Sequence, residues 1–243
     1  MKKSYTILAI IAIIAIVVYC ALPEKRFSES VFPLAENTTA SAYDDNYDGG
    51  SSIVLFNLSD SLAKFQCSLG TDEKKANWCG MVFNFDPNNE KKFHNWSFVD
   101  TLHLDIDVAG TDEFNLKVWA YDPDVTDLKN ASSFRLLLKE IPVQPGRNKI
   151  NLPFEQLYIP DFWYDNLGVK RSLNRPHHES IARIEFSAGW KQPRGKNFVI
   201  NVREITATGV SNTPYGILLF IFLGLMIIAI GRRHPVKETD EKK

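Results

Sequence analysis

Hydrophobic and polar residues follow two patterns along this chain: two unbroken apolar stretches near its ends, and strict alternation between them. In Thr101–Val108, Leu102, Leu104, Ile106 and Val108 fall on one side, and His103, Asp105 and Asp107 on the other. That period of two is the mark of a strand with one buried face. The next segment, Phe114 to Tyr121, puts Phe114, Leu116, Val118 and Ala120 toward a core and Lys117, Trp119 and Tyr121 away from it. Alternation recurs in Phe134–Glu140, in Ile184, Phe186 and Ala188, and in Phe198, Ile200 and Val202, with Gly, Pro, Asn and Asp between the runs. None of these runs keeps a helical period. About eight or nine such strands predict an all-β domain, a jelly-roll sandwich of two sheets, over residues 43–211.

The apolar stretches predict two transmembrane helices, residues 5–22 and 214–231. The first is uncharged over about 18 residues, enough to cross the hydrocarbon core; the second is about a turn short of that and is completed by Pro214 and Gly231. Lys2 and Lys3 precede the first, and Arg232 and Arg233 follow the second. By the positive-inside rule residues 1–4 and the tail 232–243 are cytoplasmic, and everything between is exported. Residues 23–42 read as a linker. Bulky Val18, Tyr19 and Cys20 stand where a signal-peptidase site needs small residues, so the first segment reads as an uncleaved anchor. Tyr19 also speaks against lipidation of Cys20.

The chain is 44% hydrophobic and 12% aromatic, which leaves enough apolar residues outside the spans for a core. With the two leading lysines and the five bases and three acids of the tail set aside, 21 bases and 26 acids remain, a formal charge of −5. The sign changes along the chain. Residues up to Asp127 are acidic, whereas from Lys129 to Arg203 bases outnumber acids. Two readings fit: complementary faces that attract within the fold, or a basic groove for an acidic ligand. Nucleic acid is excluded as a partner by the exported topology. Cys67 and Cys79 lie on successive strands joined by a polar turn, and an oxidising compartment predicts a disulfide between them across a hairpin.

If the strands at Thr101 and Phe114 pair as a meander, their polar sides together display His103, Asp105, Asp107, Lys117, Trp119 and Tyr121. Aromatic rings among hydrogen-bonding groups suit a saccharide, whose C–H faces stack on indole or phenol and whose hydroxyls need polar partners. The opposing reading has Trp119 and Tyr121 packed under a connecting segment. Ahead of the first strand, Asp44, Asn46 and Asp48 followed by Gly49 copy the opening of a calcium loop, but Leu55 stands where the closing Glu belongs. This allows a structural calcium completed by carbonyls from elsewhere, beside the plainer reading of an acidic Asx-turn. No enzyme motif is present. His177, His178 and Glu179 are adjacent without a spaced third ligand, and the near carboxylates Asp105 and Asp107 suit sugar hydrogen bonding as well as chemistry.

The blocks DDNYDGGSS, CGMVFNF, FVDTLHLDIDVAGTDEFNLKVWAYD, NKINLPFEQLYIPDFWYDN and FVINVREITATG together resemble jelly-roll domains of the carbohydrate-binding-module type. They are particularly similar to the periplasmic sensor versions fused to bacterial diguanylate cyclases and transcription regulators, and to the galactose-binding-like modules of the complex I intermediate-associated family. The resemblance implies that Phe154, Pro160, Trp163 and Tyr164 form a block whose aromatic pair packs along the sheet edge. It also implies a bacterial inner-membrane location with the domain in the periplasm, although Asn37, Asn57, Asn95 and Asn130 carry N-glycosylation triplets. No output domain follows the second span. The expected function is therefore a membrane-held domain that binds a saccharide and works through a membrane protein partner in signal transduction, or alternatively a scaffold whose sandwich binds another envelope protein.

Overall fold

The computed structural model describes residues 2–21, 26–75, 77–211 and 213–233. The tail from 234 onward, Met1, and the stretch 22–25 at the end of the first apolar segment lie outside the described residues. The chain forms two units. One holds the terminal helices, and the other, Ser28–Gly209, holds the strands.

In the helical unit, α1 spans Lys2–Ala21 and α3 spans Thr213–Arg233. Thr213–Gly231 is long and apolar enough to cross a membrane by length and composition; the apolar part of α1, Tyr5–Ala21, is shorter than that criterion. Among the described residues this gives one candidate span where the sequence predicts two.

The strand unit is a sandwich. The first sheet orders β3 (Ile53–Ser59), β4 (Leu62–Ser68), β11 (Asn197–Val210), β6 (Val99–Ala109) and β9 (Gly146–Pro153), with β1 (Arg26–Phe32) also paired to β11. The second orders β2 (Thr39–Asp44), β5 (Cys79–Asn84), β10 (Ile181–Ala188), β7 (Glu113–Ala120) and β8 (Arg135–Pro142). The stretch 23–42 is therefore no linker: it supplies β1 and most of β2. Its alternation is short and interrupted by Pro33, which hides both strands from a periodicity reading.

Leu102, Leu104, Ile106 and Val108 of β6, and Phe114, Leu116, Val118 and Ala120 of β7, are all buried as predicted. The two strands do not pair. β6 lies between β11 and β9, whereas β7 lies between β10 and β8. The turn between them crosses from one sheet to the other at Gly110, whose φ of 78° is left-handed and whose missing Cβ would stand 2.3 Å from the Asn197 carbonyl. Alternation shows which side of a strand is buried, and both arrangements bury the same side.

The sheets meet through aromatic rings. Phe186 of β10 packs on Phe83 and Phe114 at 6.0 and 5.4 Å, Phe65 meets Phe198 at 5.8 Å, and Phe32 of β1 reaches Phe83 across the sandwich at 5.8 Å. Each such ring contributes roughly 1.5–3 kcal/mol by burial. Cys67 and Cys79 are disulfide-bonded and fully buried, as expected, but β4 and β5 belong to different sheets, so the bond ties the two layers rather than closing a hairpin.

A short helix α2 (Asp161–Leu167) follows β9 and lays Trp163 and Tyr164, 3% and 5% exposed, on the outside of the second sheet against Leu136, Leu138 and Trp119. Beside it Arg135 and Asp122 form a fully buried ion pair. Arg135 Nε donates to Asp122 at 3.0 Å, Nη1 donates to the Leu173 carbonyl at 2.5 Å, and the guanidinium stacks 4.6 Å from the Trp163 ring.

Two stability outcomes follow from this packing. Replacing both Cys67 and Cys79 by Ala is expected to lower stability by about 3 kcal/mol through loss of loop-closure restraint. For a sandwich of this size that is a fall in Tm of roughly 6–12 °C, measured by intrinsic fluorescence of the full chain. Arg135→Met alone is expected to cost about 3–5 kcal/mol, because it strands the buried Asp122 carboxylate, and the double variant Arg135→Met/Asp122→Asn should recover part of that loss.

Candidate binding cleft on the second sheet

Strand register arranges the outer face of the second sheet in three rows. Tyr43, Gly80, Ser187, Asn115 and Glu140 form the first; Ser41, Val82, Glu185, Lys117 and Leu138 the second; Thr39, Asn84, Arg183, Trp119 and Leu136 the third. The first row is low in the middle. Gly80 has no side chain, and Tyr43 lies across it: a Cβ there would stand 2.3 Å from the Tyr43 hydroxyl oxygen. That hydroxyl donates to Glu185 Oε2 at 2.9 Å, and Arg183 Nε donates to Glu185 Oε1 at 2.8 Å.

Over this trough opens a cleft of about 250 Å³, with Asn115, Lys117 and Ser187 on its floor and Tyr43, Trp78 and Trp190 at its sides. Trp78 packs on Tyr43 with ring centroids 5.6 Å apart. Trp190 is 60% exposed; its indole N–H donates to Glu140 at 3.1 Å and its ring meets Phe162 edge-on at 6.0 Å. A second cleft of about 280 Å³ lies on the same face around Asn84, Phe93, Phe134 and Arg183. Arg183 to Ser187 spans four residues of β10, so the two clefts are about 13 Å apart along the strands.

Asn115 is 1% exposed; its amide nitrogen donates to the Ala188 carbonyl, but its Oδ1 has no donor. Gln192 Oε1, also in the cleft lining, has none either. Both oxygens are closed to solvent, so neither is open to the cleft as it stands. Burial lowers the Lys117 amine below the ordinary lysine range, with Glu185 opposing and Arg183 adding to the effect. Burial raises the Tyr43 phenol well above its usual range, reinforced by the charge and hydrogen bond of Glu185. Tyr158 is pushed up to about 12 by burial and by its 2.6 Å hydrogen bond to Glu140.

The six residues expected to share one face are divided. His103, Asp105 and Asp107 lie on the outside of the first sheet, where neighbouring strands engage them. Arg147 holds Asp105 through two bonds of 2.8 and 2.6 Å, Arg203 Nε holds Asp107 at 2.6 Å, and His103 sits between Asn151 and Thr208 at 2.7 Å each. Lys117, Trp119 and Tyr121 come from β7 and the residue after it. Only Lys117 reaches the first cleft. Trp119 is 9% exposed, beneath α2 and the Arg183 guanidinium at 4.5 Å, and Tyr121 stacks on Phe93 at 5.0 Å. The aromatic pair Trp163 and Tyr164 is core, in keeping with the resemblance. Trp78, Trp190 and Asn115 went unnoticed in the sequence, the first two because they sit in loops with no periodicity.

The Asp44–Asp48 segment is engaged within its own loop. Asp44 Oδ1 accepts the Asn46 N–H at 3.0 Å, and Asn46 Nδ2 donates to the Ser52 carbonyl at 3.3 Å. Among the described residues no group of three or more His, Cys, Asp or Glu converges as metal ligands. A calcium ion at Asp44, Asn46 and Asp48 would need oxygens from elsewhere. The organising residue is Asp45 between them, fully buried, which accepts the N–H of Ser52 at 2.8 Å, its hydroxyl at 2.5 Å and the N–H of Trp78 at 2.9 Å. Asp45 thus fixes the loop that carries one wall of the cleft. His177, His178 and Glu179 do not gather as metal ligands either: His177 Nδ1 lies 3.3 Å from Glu179, which pairs with Arg175.

No protein-family model matches the chain, and no curated protein matches it. Solved structures with similar folds include a family 11 carbohydrate-binding module from Clostridium thermocellum in complex with a β-1,3-1,4-mixed-linked tetrasaccharide, at 15% identity over 76% of this chain and 96% of that one, TM-score 0.49. A family 30 module of a Clostridium thermocellum cellulosomal cellulase matches at 11% identity over 77% and 99%, TM-score 0.45. A low affinity xylan binding module from Roseburia intestinalis matches at 12% over 75% and 93%, TM-score 0.34. At these values the likeness carries nothing about a ligand.

Glu185 gives the cleft an acid-sensitive support. Burial pushes its carboxyl up, but Arg183, Lys117 and the Arg183 and Tyr43 hydrogen bonds together hold it below the ordinary glutamate range. A depressed acid stabilises the fold above its unfolded pKa, and that stabilisation is lost as pH falls through the folded value. Glu185→Gln is therefore expected to lower Tm at pH 7, with the gap to the wild type narrowing as pH falls below about 4.5 and closing only below the lower folded value, where both carry a neutral group at this position.

Proposed function

We propose that the sandwich is a carbohydrate-binding domain, non-catalytic, that takes a saccharide in the cleft on the outside of the second sheet. The observation that carries this reading is the combination at that cleft: exposed indole rings of Trp78 and Trp190 beside a polar floor of Asn115, Ser187 and the Lys117 amine. Sugar rings offer apolar C–H faces to the indoles and hydroxyl edges to the amides, which is the complement of that lining. The buried Cys67–Cys79 disulfide supports placement in an oxidising compartment outside the cytoplasm. The apolar helix α3 supports tethering to a membrane, with α1 as the second tether of a two-pass protein. With the domain in the periplasm of an inner membrane, saccharide binding would be passed on through a membrane protein partner.

A scaffold role has its own observation. The edge strand β3 shows solvent Ile53 and Leu55, 65% and 61% exposed, where edge strands commonly carry charge. A protein partner docked there would cover both.

Affinity electrophoresis of the full-length chain through gels containing soluble polysaccharides tests the cleft directly. Trp190→Ala and Trp78→Ala are each expected to weaken retardation by about tenfold or more, given roughly 1–2 kcal/mol for a lost aromatic stacking face, with Tm unchanged for Trp190→Ala. Asp105→Asn and His103→Ala, on the opposite face, should leave retardation as it is. Equal loss from the first-sheet variants, or none from the tryptophan variants, removes the cleft from consideration.

A further inference from the structure

Lys117 is the one charged side chain among the described residues that line the cleft. Lys117 stands in the second row of the sheet, in register with Glu185 on one side and Leu138 on the other. Glu185 is the carboxylate in reach, and it is already taken by Arg183 at 2.8 Å and the Tyr43 hydroxyl at 2.9 Å. Among the described residues, no carboxylate comes within ion-pair distance of the Lys117 ammonium. The neighbouring acid, Glu140, is one strand beyond Asn115 and spends one oxygen on the Tyr158 hydroxyl and the Trp190 indole. Glu113, at the strand's start, faces Lys191 at 3.9 Å.

A half-buried ammonium whose nearby carboxylate is shared with Arg183 is incompletely balanced, and burial already weakens its hold on the proton. A neutral sugar entering the cleft would strip water from that charge and return only hydroxyl contacts. A sugar bearing an anion would offset it, while its ring faces meet Trp78 and Trp190. We propose that the cleft selects acidic saccharides, those carrying a carboxylate or a sulfate ester, and that Lys117 is the residue that pairs with the ligand charge. This rests on the saccharide reading of the same cleft and adds the chemical class of ligand.

The test is calorimetric titration of the full-length chain in a detergent without a sugar headgroup. The probes are a neutral cello-oligosaccharide, an oligogalacturonate of equal length and a sulfated galactan oligosaccharide, the last two separating carboxylate from sulfate as the source of charge. At least one acidic probe is expected to bind about tenfold or more tightly than the neutral one, the scale of one hydrogen-bonded charge. Lys117→Met should erase that preference while Lys117→Arg keeps it, with Tm of both variants confirming the fold. A neutral probe that binds as tightly as the acidic ones, or a preference that survives Lys117→Met in a folded protein, overturns the acidic selection and leaves the saccharide reading standing. Failure of all three probes to bind overturns both.

Discussion

The constraint on which this fold depends is that both sheets must bury their inner faces, lined by Phe65 and Phe198 on one side and Phe83, Phe114 and Phe186 on the other, with Phe32–Phe83 and Cys67–Cys79 joining layer to layer. A sandwich core is filled by alternate residues from both sides and leaves no room within for a ligand. Recognition therefore falls to the outer faces. The two outer faces of this sandwich have been put to different uses. On the first sheet, cross-strand pairs such as Arg147 with Asp105 and Arg203 with Asp107 close the surface on itself. On the second, small residues at the centre and aromatic residues at the margins leave a trough.

That trough is made by a local choice of side-chain size. Gly80 in β5 lets the Tyr43 ring cross the neighbouring strand and reach Glu185, which in turn anchors Arg183 over Trp119. A larger residue at position 80 would lift Tyr43 away and break the chain of contacts at its first link. The walls come from loops, but they are not loosely held: Asp45 grips the backbone of Trp78, and Glu140 grips the indole of Trp190. Strands thus supply a level floor, and buried or shared carboxylates hold the loop tryptophans at its edges.

Much of this was legible in the sequence, and the part that was not has a physical explanation. The buried sides of β6, β7, β10 and β11 follow from alternation because each strand has one wet and one dry side. Sheet membership does not follow. A turn as short as that at Gly110 serves a hairpin or a crossing equally well, so alternation alone groups His103, Asp105 and Asp107 with residues of the other sheet. Trp119 shows a second limit: it points outward as alternation requires, yet α2 is only seven residues long, too short for a helical period, and it covers the ring. Lys117 was identified and is in the cleft. Its aromatic companions come from loops, where no period exists to mark them.

The charge asymmetry of the chain is largely resolved by the first sheet. Asp105 and Asp107 come from the acidic half, and Arg147 and Arg203 from the basic half, so the two halves attract across β6, β9 and β11. Such exposed pairs contribute little each, about 0–1 kcal/mol, but they satisfy the surface and leave no net field there. On the second sheet the Arg135–Asp122 pair also joins the two halves, but around the cleft the scheme breaks. Arg183 and Glu185 are both from the basic half and pair with each other two residues apart on one strand, which leaves Lys117, brought in on β7, without a carboxylate of its own. A charge left over on a surface would be met by water and salt. The same charge on the floor of a cleft, between indoles, is screened far less and makes the cleft's affinity depend on the sign of what enters it.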